Sequence, residues 1–240
     1  MSGHSKWAQI KHKKAATDAK RGNLFGKLSR AITIAAKDGA DPTANFKLRL
    51  AIERARSFNL PADNIERAVA KAAGDKNISD LVSVLYEAYA PGGAAILIEG
   101  VTDNKNRATA EIKHILLGYG GKFAESGSVS WMFSRKGVIL LAAADNLSLE
   151  SPETELMLID AGAEEIERIE DGTTIYTSPE HRVQVVETLK KSGFVVADSY
   201  ETFIPTTPIE NIGPRDLART EALIEKLEEH DDIENVSSNI

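Results

Sequence analysis

Apolar residues in the first third of the chain follow the spacing of helices. They recur every three to four positions over residues 24–36, 46–55 and 65–72. Gly74 follows the last of these stretches, where the end of a helix is expected. Since few segments before residue 81 alternate as strands do, the pattern predicts an all-helical N-terminal domain.

Local signals predict where these helices begin and break. A helix capped by Ser5 or a neighbour is expected to run through Lys20, and Gly22-Asn23 predicts a break between it and the stretch that begins at residue 24. Asp41-Pro42 predicts a helix start, because a carboxylate can cap the first turn and proline fits there. Phe46 is expected in the core, where truncation to alanine would cost about 3–5 kcal/mol if the ring is fully buried.

Beyond residue 77 the periodicity changes to that of strands. Residues 85–90 alternate, and residues 94–101 form an apolar run, with Pro91-Gly92-Gly93 between them. This pattern predicts two neighbouring strands. A helix over 106–119 and a strand over 128–133 complete the block.

A second block over residues 136–204 has the order β-α-β-β-α-β, which is the ferredoxin-like arrangement. The helix over 214–229 and the strand over 233–237 that follow are too few for a domain, so they are expected to return to the first sheet. The predicted fold class is α+β with three domains, an all-helical N-terminal domain followed by two ferredoxin-like α/β domains, the last inserted into the middle one. The predicted domains are a basic helical domain over 1–78, a discontinuous α/β domain over 79–134 plus 206–240, and an inserted βαββαβ domain over 135–205.

Charge is divided sharply along the chain. Residues 1–76 hold 16 basic and seven acidic side chains, whereas the remaining residues hold 13 basic and 29 acidic ones. The first segment therefore carries a net charge of +9 inside a protein whose net charge is −7. A basic segment of this kind indicates a polyanionic partner, and we expect nucleic acid.

The candidate contacts with nucleic acid are basic side chains. Most belong to the basic domain, and two open the predicted helix after residue 104, where an anion would offset their charge; a plain capped turn is the alternative for that pair. The predicted nucleic-acid-binding residues are Lys6, Lys11, Lys13, Lys14, Lys20, Arg21, Lys27, Arg30, Lys47, Arg49, Arg54, Arg56, Lys105 and Arg107.

Catalytic and metal chemistry find little support in the residues. The chain has no cysteine, which excludes thiolate nucleophiles and cysteine-ligated metals. Gly118-Tyr119-Gly120-Gly121-Lys122 lacks the first glycine of a P-loop. The acidic run over 228–232 could suggest a metal pair, but solvated charge is the favoured interpretation. We therefore expect no enzyme, no catalytic residue, no metal and no cofactor.

No apolar run approaches the length of a membrane span, and the basic start lacks the apolar core of a signal peptide. We expect no membrane partner and no small-molecule substrate.

Several short motifs follow one another along nearly the whole chain. They are Gly3-His4-Ser5-Lys6-Trp7, Ile10-Lys11, Lys13-Lys14-Ala15-Ala16, Asp18-Ala19-Lys20-Arg21-Gly22, Leu60-Pro61-Ala62-Asp63-Asn64-Ile65-Glu66-Arg67-Ala68, Tyr89-Ala90-Pro91-Gly92-Gly93, Thr102-Asp103-Asn104-Lys105-Asn106-Arg107, Gly120-Gly121, Ser126-Gly127-Ser128-Val129 and the segment from Leu227 to Asp232. Together these motifs resemble the YebC/PmpR family. One departure is Ala90, where the family usually has glycine.

The resemblance implies a cytoplasmic, non-enzymatic protein of three domains, with the C-terminus returning to the middle one. Members of the family are described as DNA-binding transcriptional regulators, and a mitochondrial relative as a translational activator. Bacterial relatives are also described as ribosome-associated factors that relieve stalling. Two hypotheses therefore stay open: a DNA-binding transcriptional regulatory protein, and a translation factor that contacts rRNA or tRNA on the ribosome.

Overall fold

The computed structural model describes residues 18–74, 81–142, 151–169 and 172–240. Within these ranges the chain forms seven α-helices and eight strands. The helices are α1 (Asp18–Ala36), α2 (Phe46–Ser57), α3 (Ala62–Gly74), α4 (Lys105–Tyr119), α5 (Pro152–Asp160), α6 (Arg182–Lys191) and α7 (Pro214–Glu228). The strands are β1 (Val82–Tyr89), β2 (Ala95–Thr102), β3 (Lys122–Ala124), β4 (Phe133–Ala142), β5 (Ala163–Ile169), β6 (Gly172–Thr177), β7 (Val196–Pro205) and β8 (Ile233–Ser238).

Helices α1 to α3 pack around one apolar core. Ile32 of α1 and Leu48 of α2 are fully buried in it, and Ile65 of α3 joins them. The hydroxyl of Thr33 donates a hydrogen bond to the carbonyl of Ala68 at 3.0 Å, which ties α1 to α3. The helical spacing of apolar residues therefore places one face of each helix in a shared interior, as predicted.

Two predicted helix boundaries are wrong. Helix α1 continues through Gly22-Asn23, where the side chain of Asn23 donates to the carbonyl of Glu229. Asp41 accepts hydrogen bonds from Thr43 and so closes a turn, while Asn45 caps α2 by accepting from the backbone N–H of Leu48. Helix α2 therefore begins at Phe46, four residues after Pro42, because Asn45 supplies the side-chain cap.

Phe46 does not occupy the core. Its side chain is half-buried, and the guanidinium of Arg49 lies 4.4 Å from the centroid of its ring. The expectation of full burial was wrong, because Leu48 takes the inward position at the start of α2.

The larger sheet has the strand order β3-β1-β2-β8. All three pairings are antiparallel, and β1 and β2 form the predicted hairpin with Tyr89 opposite Ala95. Helices α4 and α7 cover one face, where Ile112, Leu116 and Leu223 are buried against the strands. Strand β8 pairs with β2, so the end of the chain returns to this sheet as predicted.

The strand predicted over 128–133 does not form. Its place is taken by a loop and a short 3₁₀ helix over Ser130–Met132, and β4 begins only at Phe133. The buried carboxylate of Glu87 accepts the backbone N–H groups of Gly127 and Val129, both at 2.6 Å, and of Ser130 at 3.0 Å. Because these donors are occupied, the segment cannot offer them to a strand ladder.

The smaller sheet has the strand order β5-β6-β4-β7. Strand β6 pairs antiparallel with both β4 and β5. The apolar core between this sheet and its helices contains Ile139 and Ile175 from the strands and Leu158 and Val185 from α5 and α6.

Both sheets have the same spatial arrangement of strands. In the smaller sheet the second, third, first and fourth strands of the block lie side by side. In the larger sheet the corresponding order is β3, β1, β2 and β8. Strand β2 therefore takes the place that β4, the first strand of the inserted domain, has in the smaller sheet. Along the chain the smaller sheet follows the ferredoxin-like order, whereas the larger sheet fills the same places in a permuted order, with β1 in the place of the block's third strand.

The predicted α+β class is confirmed, with an N-terminal helical domain and two α/β domains of which the last is inserted into the middle one. By internal contacts the described residues divide into two compact units, 135–203 and the remainder. The exact limits of the three domains stay predictions. No helix in the described ranges is long and apolar enough to cross a bilayer.

Glu87→Gln tests the contribution of the buried carboxylate. Burial raises the pKa of Glu87, but the three backbone donors outweigh it and hold the pKa below the ordinary glutamate range. The carboxylate therefore stabilises the fold above the ordinary pKa of about 4.3, and this contribution is lost as the pH falls below it. Because an amide would place N–H groups against backbone donors, we expect a loss of about 1–3 kcal/mol at pH 7 in denaturant unfolding.

The matched control is Glu125→Gln, which removes an exposed carboxylate from the same region. The wild type should lose stability between pH 5 and pH 3 more steeply than Glu87→Gln does. Equal unfolding free energies for the two variants at pH 7 would show that Glu87 does not hold the loop.

Candidate nucleic-acid interface

Two of the motifs that carry the family resemblance meet in the structure. Thr102 ends β2 and Asn104 caps α4, with its side chain accepting from the backbone N–H of Arg107 at 3.1 Å. Residues 228–232 form the turn between α7 and β8. The hydroxyl of Thr102 donates to Asp232 Oδ2 at 2.9 Å, which joins the two segments.

Asp232 is the centre of this site. Its side chain is 7% exposed and pairs with Arg30 of α1 through Oδ1 and with Arg107 of α4 through Oδ2, each at 2.9 Å. Both oxygens are therefore engaged, and two of the fourteen candidate contacts converge on one carboxylate. Arg107 also pairs with the exposed Asp103 at 2.9 Å.

The ionisation of Asp232 follows from these contacts. Burial raises the pKa of its carboxyl, but the hydrogen bonds from Arg107 and Thr102 and the charges of Arg107 and Arg30 outweigh it. The pKa of Asp232 therefore lies below its ordinary value, and the side chain is ionised at neutral pH.

The backbone of Asp232 requires a glycine opposite. Its carbonyl accepts the N–H of Val101 at 2.8 Å, where the register between β2 and β8 shifts. A Cβ atom on Gly100 would lie 2.3 Å from that carbonyl oxygen. Only glycine permits this approach, so the bulge in β2 and the position of Asp232 depend on each other.

His230 belongs to the same network. The backbone N–H of Asp232 donates to His230 Nδ1 at 3.1 Å, so a neutral imidazole carries its proton on Nε2 and donates it to Glu111 at 2.8 Å. Glu111, His230 and Asp232 bring three potential metal ligands within 4.8 Å of one another. Two guanidinium groups bound to Asp232 repel a cation there, and the three side chains already have protein partners.

Helix α1 makes further contacts with the same turn. The side chain of Asn23 donates to the carbonyl of Glu229, and the ammonium of Lys27 donates to the carbonyl of Glu228. These carbonyls lie at the C-terminal end of α7, where positive charge is favourable. The contacts of Asn23, Lys27 and Arg30 therefore attach one face of α1 to the α7–β8 turn.

A cleft of about 800 Å³ opens beside this network. Its walls carry cations from three elements, among them Arg30, Lys71 and Arg107, but also Asp103, Glu111 and Asp231. Because acids intersperse the cations, the cleft is not a simple receptor for a polyanion.

The predicted nucleic-acid contacts divide into three groups. Lys6, Lys11, Lys13 and Lys14 lie outside the described residues. Lys20 and Arg21 lie on α1, but their side chains are outside the described ones. The other eight are described, and whether any of them touches nucleic acid stays a prediction.

Four of the described cations lie on α2. Lys47 and Arg56 are exposed, and Lys47 has Asp38 at 3.8 Å. Arg49 lies over the ring of Phe46, and Arg54 is half-buried, with its charge acting on Glu234. Helix α2 therefore presents positive charge to solvent mainly through its exposed members. Lys105 is likewise exposed at the first turn of α4.

The interpretation of the acidic run over 228–232 as solvated charge is wrong for Asp232. The carboxylate is buried and paired, because α1 and α4 bring one arginine each to it. Two apolar residues flank the acidic run, Leu227 and Ile233, and both are buried. They are the feature of the sequence from which burial of this turn could have been predicted.

A serine and a histidine also come into contact in the inserted domain. Ser178 Oγ lies 3.1 Å from His181 Nδ1 and accepts the backbone N–H of His181 at 3.3 Å. Both residues lie just before α6. The pKa of Glu180 is lowered mainly by a backbone hydrogen bond to its carboxylate and, to a lesser extent, by a hydrogen bond from the hydroxyl of Ser178. The geometry is that of a helix N-terminus rather than of an activated nucleophile.

Asp232→Asn tests the network. Removing the charge leaves two guanidinium groups without their carboxylate, but both arginines are partly exposed, at 28% and 47%, and can be rehydrated. We therefore expect a loss of about 1–3 kcal/mol in denaturant unfolding at pH 7. Asp231→Asn removes an adjacent exposed charge and should change stability little. The opposite ranking of the two variants would refute the role of Asp232.

Comparison with known proteins covers nearly the whole chain. Residues 5–75 match the family described as TACO1/YebC protein N-terminal domain, and residues 81–240 match TACO1/YebC second and third domain. A probable transcriptional regulatory protein of Thermoanaerobacter pseudethanolicus is 44% identical over 241 residues, which span 100% of this chain and 97% of the relative. One of Thermotoga maritima is 45% identical, covering 100% of this chain and 93% of its own length.

A solved structure agrees with the fold. The crystal structure of a conserved hypothetical protein from Aquifex aeolicus shares 41% of its sequence with this chain and superposes with a TM-score of 0.86. The match covers 98% of this chain and 96% of the other. On these similarities in sequence and in fold, the chain belongs to the TACO1/YebC family.

Proposed function

We propose that this protein is a non-enzymatic cytoplasmic regulator that binds nucleic acid through its basic N-terminal domain. The observation that carries the proposal is the charge division, with +9 over residues 1–76 and −16 over the rest. A polyanion is attracted to the first part and repelled by the second, so binding is oriented.

The contacts of the described cations indicate which of them are available to bind phosphate groups. Arg30 and Arg107 are bound to Asp232, so they are poorer phosphate ligands than the sequence alone indicates. The exposed Lys47, Arg56 and Lys105 are better placed. We propose that these three support the lysines at positions 6, 11, 13 and 14.

The structure of the helical domain bears on how nucleic acid is contacted. Helices α2 and α3 are joined by four residues, with Asn59 at a φ of 60°, which resembles the connection of a helix-turn-helix. However, the exposed surface of α3 includes Asp63 and Glu66, and Arg67 is bound to its neighbours Asp63 and Asn64. Acids on a recognition helix repel the phosphates that flank a groove, so we favour contact with the sugar–phosphate backbone over base readout by α3.

The target remains one of two. The relatives are named probable transcriptional regulatory proteins, which favours DNA and a role in transcription. The acidic two-thirds of the chain and the composition of α3 favour structured RNA instead, as a translation factor on the ribosome would contact it.

One experiment separates the two functions. Co-sedimentation with ribosomes at moderate salt is measured beside binding to promoter DNA against competitor DNA. A preference for promoter DNA above about 10³, without ribosome association, supports transcription. Ribosome association with no promoter preference supports translation, and the absence of binding to DNA, RNA and ribosomes would refute the proposal.

Reversal of charge at Lys11, Lys13 and Lys14 to glutamate tests the basic domain. Each lost phosphate contact removes about 0.7–0.9 from the slope of log affinity against log salt, so the triple variant should lose about 2–3. Affinity should fall accordingly while the melting temperature changes little. Fluorescence anisotropy over a salt series measures the affinity and its salt slope, and a thermal denaturation curve measures the melting temperature.

The matched control reverses Lys190, Lys191 and Lys226, which are exposed and lie outside the basic domain. It changes the net charge equally and should leave most of the affinity intact. If both triple variants weaken binding to the same extent, overall charge rather than the basic domain is responsible.

A further inference from the structure

One large aromatic side chain stands apart from the sites described above. Trp131 is 69% exposed, although Val129 and Phe133 on either side of it are buried. Burying an indole would stabilise the protein substantially, so an exposed one at the centre of a rigid segment is a candidate for contact with a partner.

Hydrogen bonds with β1 side chains fix the backbone of the segment that precedes Trp131. Glu87 accepts the backbone N–H groups of Gly127, Val129 and Ser130, and the hydroxyl of Tyr89 donates to the carbonyl of Ser128 at 3.1 Å. At the residue after Trp131, the carbonyl of Met132 accepts a hydrogen bond from the backbone N–H of Thr206 at 2.8 Å. The backbone on both sides of Trp131 is therefore fixed by residues distant in the sequence.

The polar atom of the indole is already used. Trp131 Nε1 donates to the carbonyl of Ser128 at 3.1 Å, the same oxygen that Tyr89 reaches. This bond fixes the orientation of the ring and leaves its flat apolar surface for a partner. A surface with no remaining hydrogen-bond donor recognises another flat ring rather than a particular polar group.

A cation lies beside Tyr89, whose hydroxyl shares the carbonyl of Ser128 with Trp131. Lys122 lies directly opposite Tyr89 in the pairing of β3 with β1, so the two side chains project from the same face of the sheet. Lys122 is exposed, and among the described residues no carboxylate pairs with it. Glu125 is the nearest acid along the chain, and it too is exposed.

We propose that Trp131 is a stacking platform for an unpaired base, with Lys122 beside it to contact the adjoining phosphate. The assignment rests on the proposed function, since it supplies a second contact for the same nucleic acid. Bases of a duplex are already stacked on one another, so the platform selects single-stranded segments, loops or splayed bases. It does not read sequence, because every base has a flat face.

Intrinsic fluorescence gives a direct test, because the chain has only two tryptophans. In a Trp7→Phe background all tryptophan emission comes from Trp131. Addition of a 20-nucleotide poly(U) or poly(dT) strand should quench it saturably, whereas a blunt duplex of equal length should quench it little. Binding of the same strand without quenching would overturn the assignment.

Substitution tests the energetics. Trp131→Ala should weaken binding of the single strand by about 5- to 150-fold, as expected for the loss of one stacked base. Binding of the duplex should be unchanged, and Trp131→Phe should restore most of the lost affinity. Lys122→Ala should lower the salt slope for the single strand by about 0.7.

Leu117→Ala is the matched control, because it truncates an apolar side chain that is 77% exposed elsewhere on the same unit. It should leave single-strand affinity unchanged. If Trp131→Ala matches the wild type while the Lys11, Lys13 and Lys14 reversal abolishes binding, the platform is refuted and the proposed function stands. If the wild type binds neither strand nor duplex, the proposed function itself fails.

Discussion

The arrangement of the larger unit depends on a carboxylate that the chain buries between two arginines. Asp232 receives Arg30 from the helical domain and Arg107 from the start of α4, and its backbone closes onto β2 at Gly100. A buried charge is tolerated only when it is paired, so each of these partners is needed to keep the others in place. The attachment of α1 to the α7–β8 turn and the position of Arg107 at the start of α4 are linked to the same requirement.

This pairing changes how the charge division should be understood. Along the sequence the basic and acidic regions are separate, but in space part of the basic region is neutralised by the acidic one. Lys27 and Arg30 face carbonyl groups and a carboxylate of the α7–β8 turn, whereas Lys47 and Arg56 face solvent. Among the described residues, the exposed positive charge of the helical domain is therefore smaller than the count of basic residues indicates, and it lies mainly on α2.

The sequence allowed most of the elements to be predicted, because apolar spacing reports burial within a single helix or strand. The helices over 105–119 and 214–228 and the β1–β2 hairpin follow from that signal. Prediction from apolar spacing failed where a side chain distant in the sequence determines the backbone conformation. Val129, Trp131 and Phe133 alternate as a strand would, but Glu87 occupies the N–H groups that a strand needs. For the same reason the burial of Asp232 could not be predicted, since one of its partners is 202 residues away. The basic residues could be identified as candidates from their number, but not sorted into paired and available ones.

The permuted order of strands in the larger sheet has a consequence for synthesis. The four strands of the inserted domain, β4 to β7, follow one another along the chain, so they leave the ribosome in one stretch. Strands β1 and β2 emerge earlier but lack β8 until Ile233–Ser238 has been translated, and until then one edge of β2 is unpaired. Domains that are continuous in sequence can fold during translation. The inserted domain is thus free to fold first, while the open edge of β2 is a site for misassembly in the nascent chain until β8 covers it.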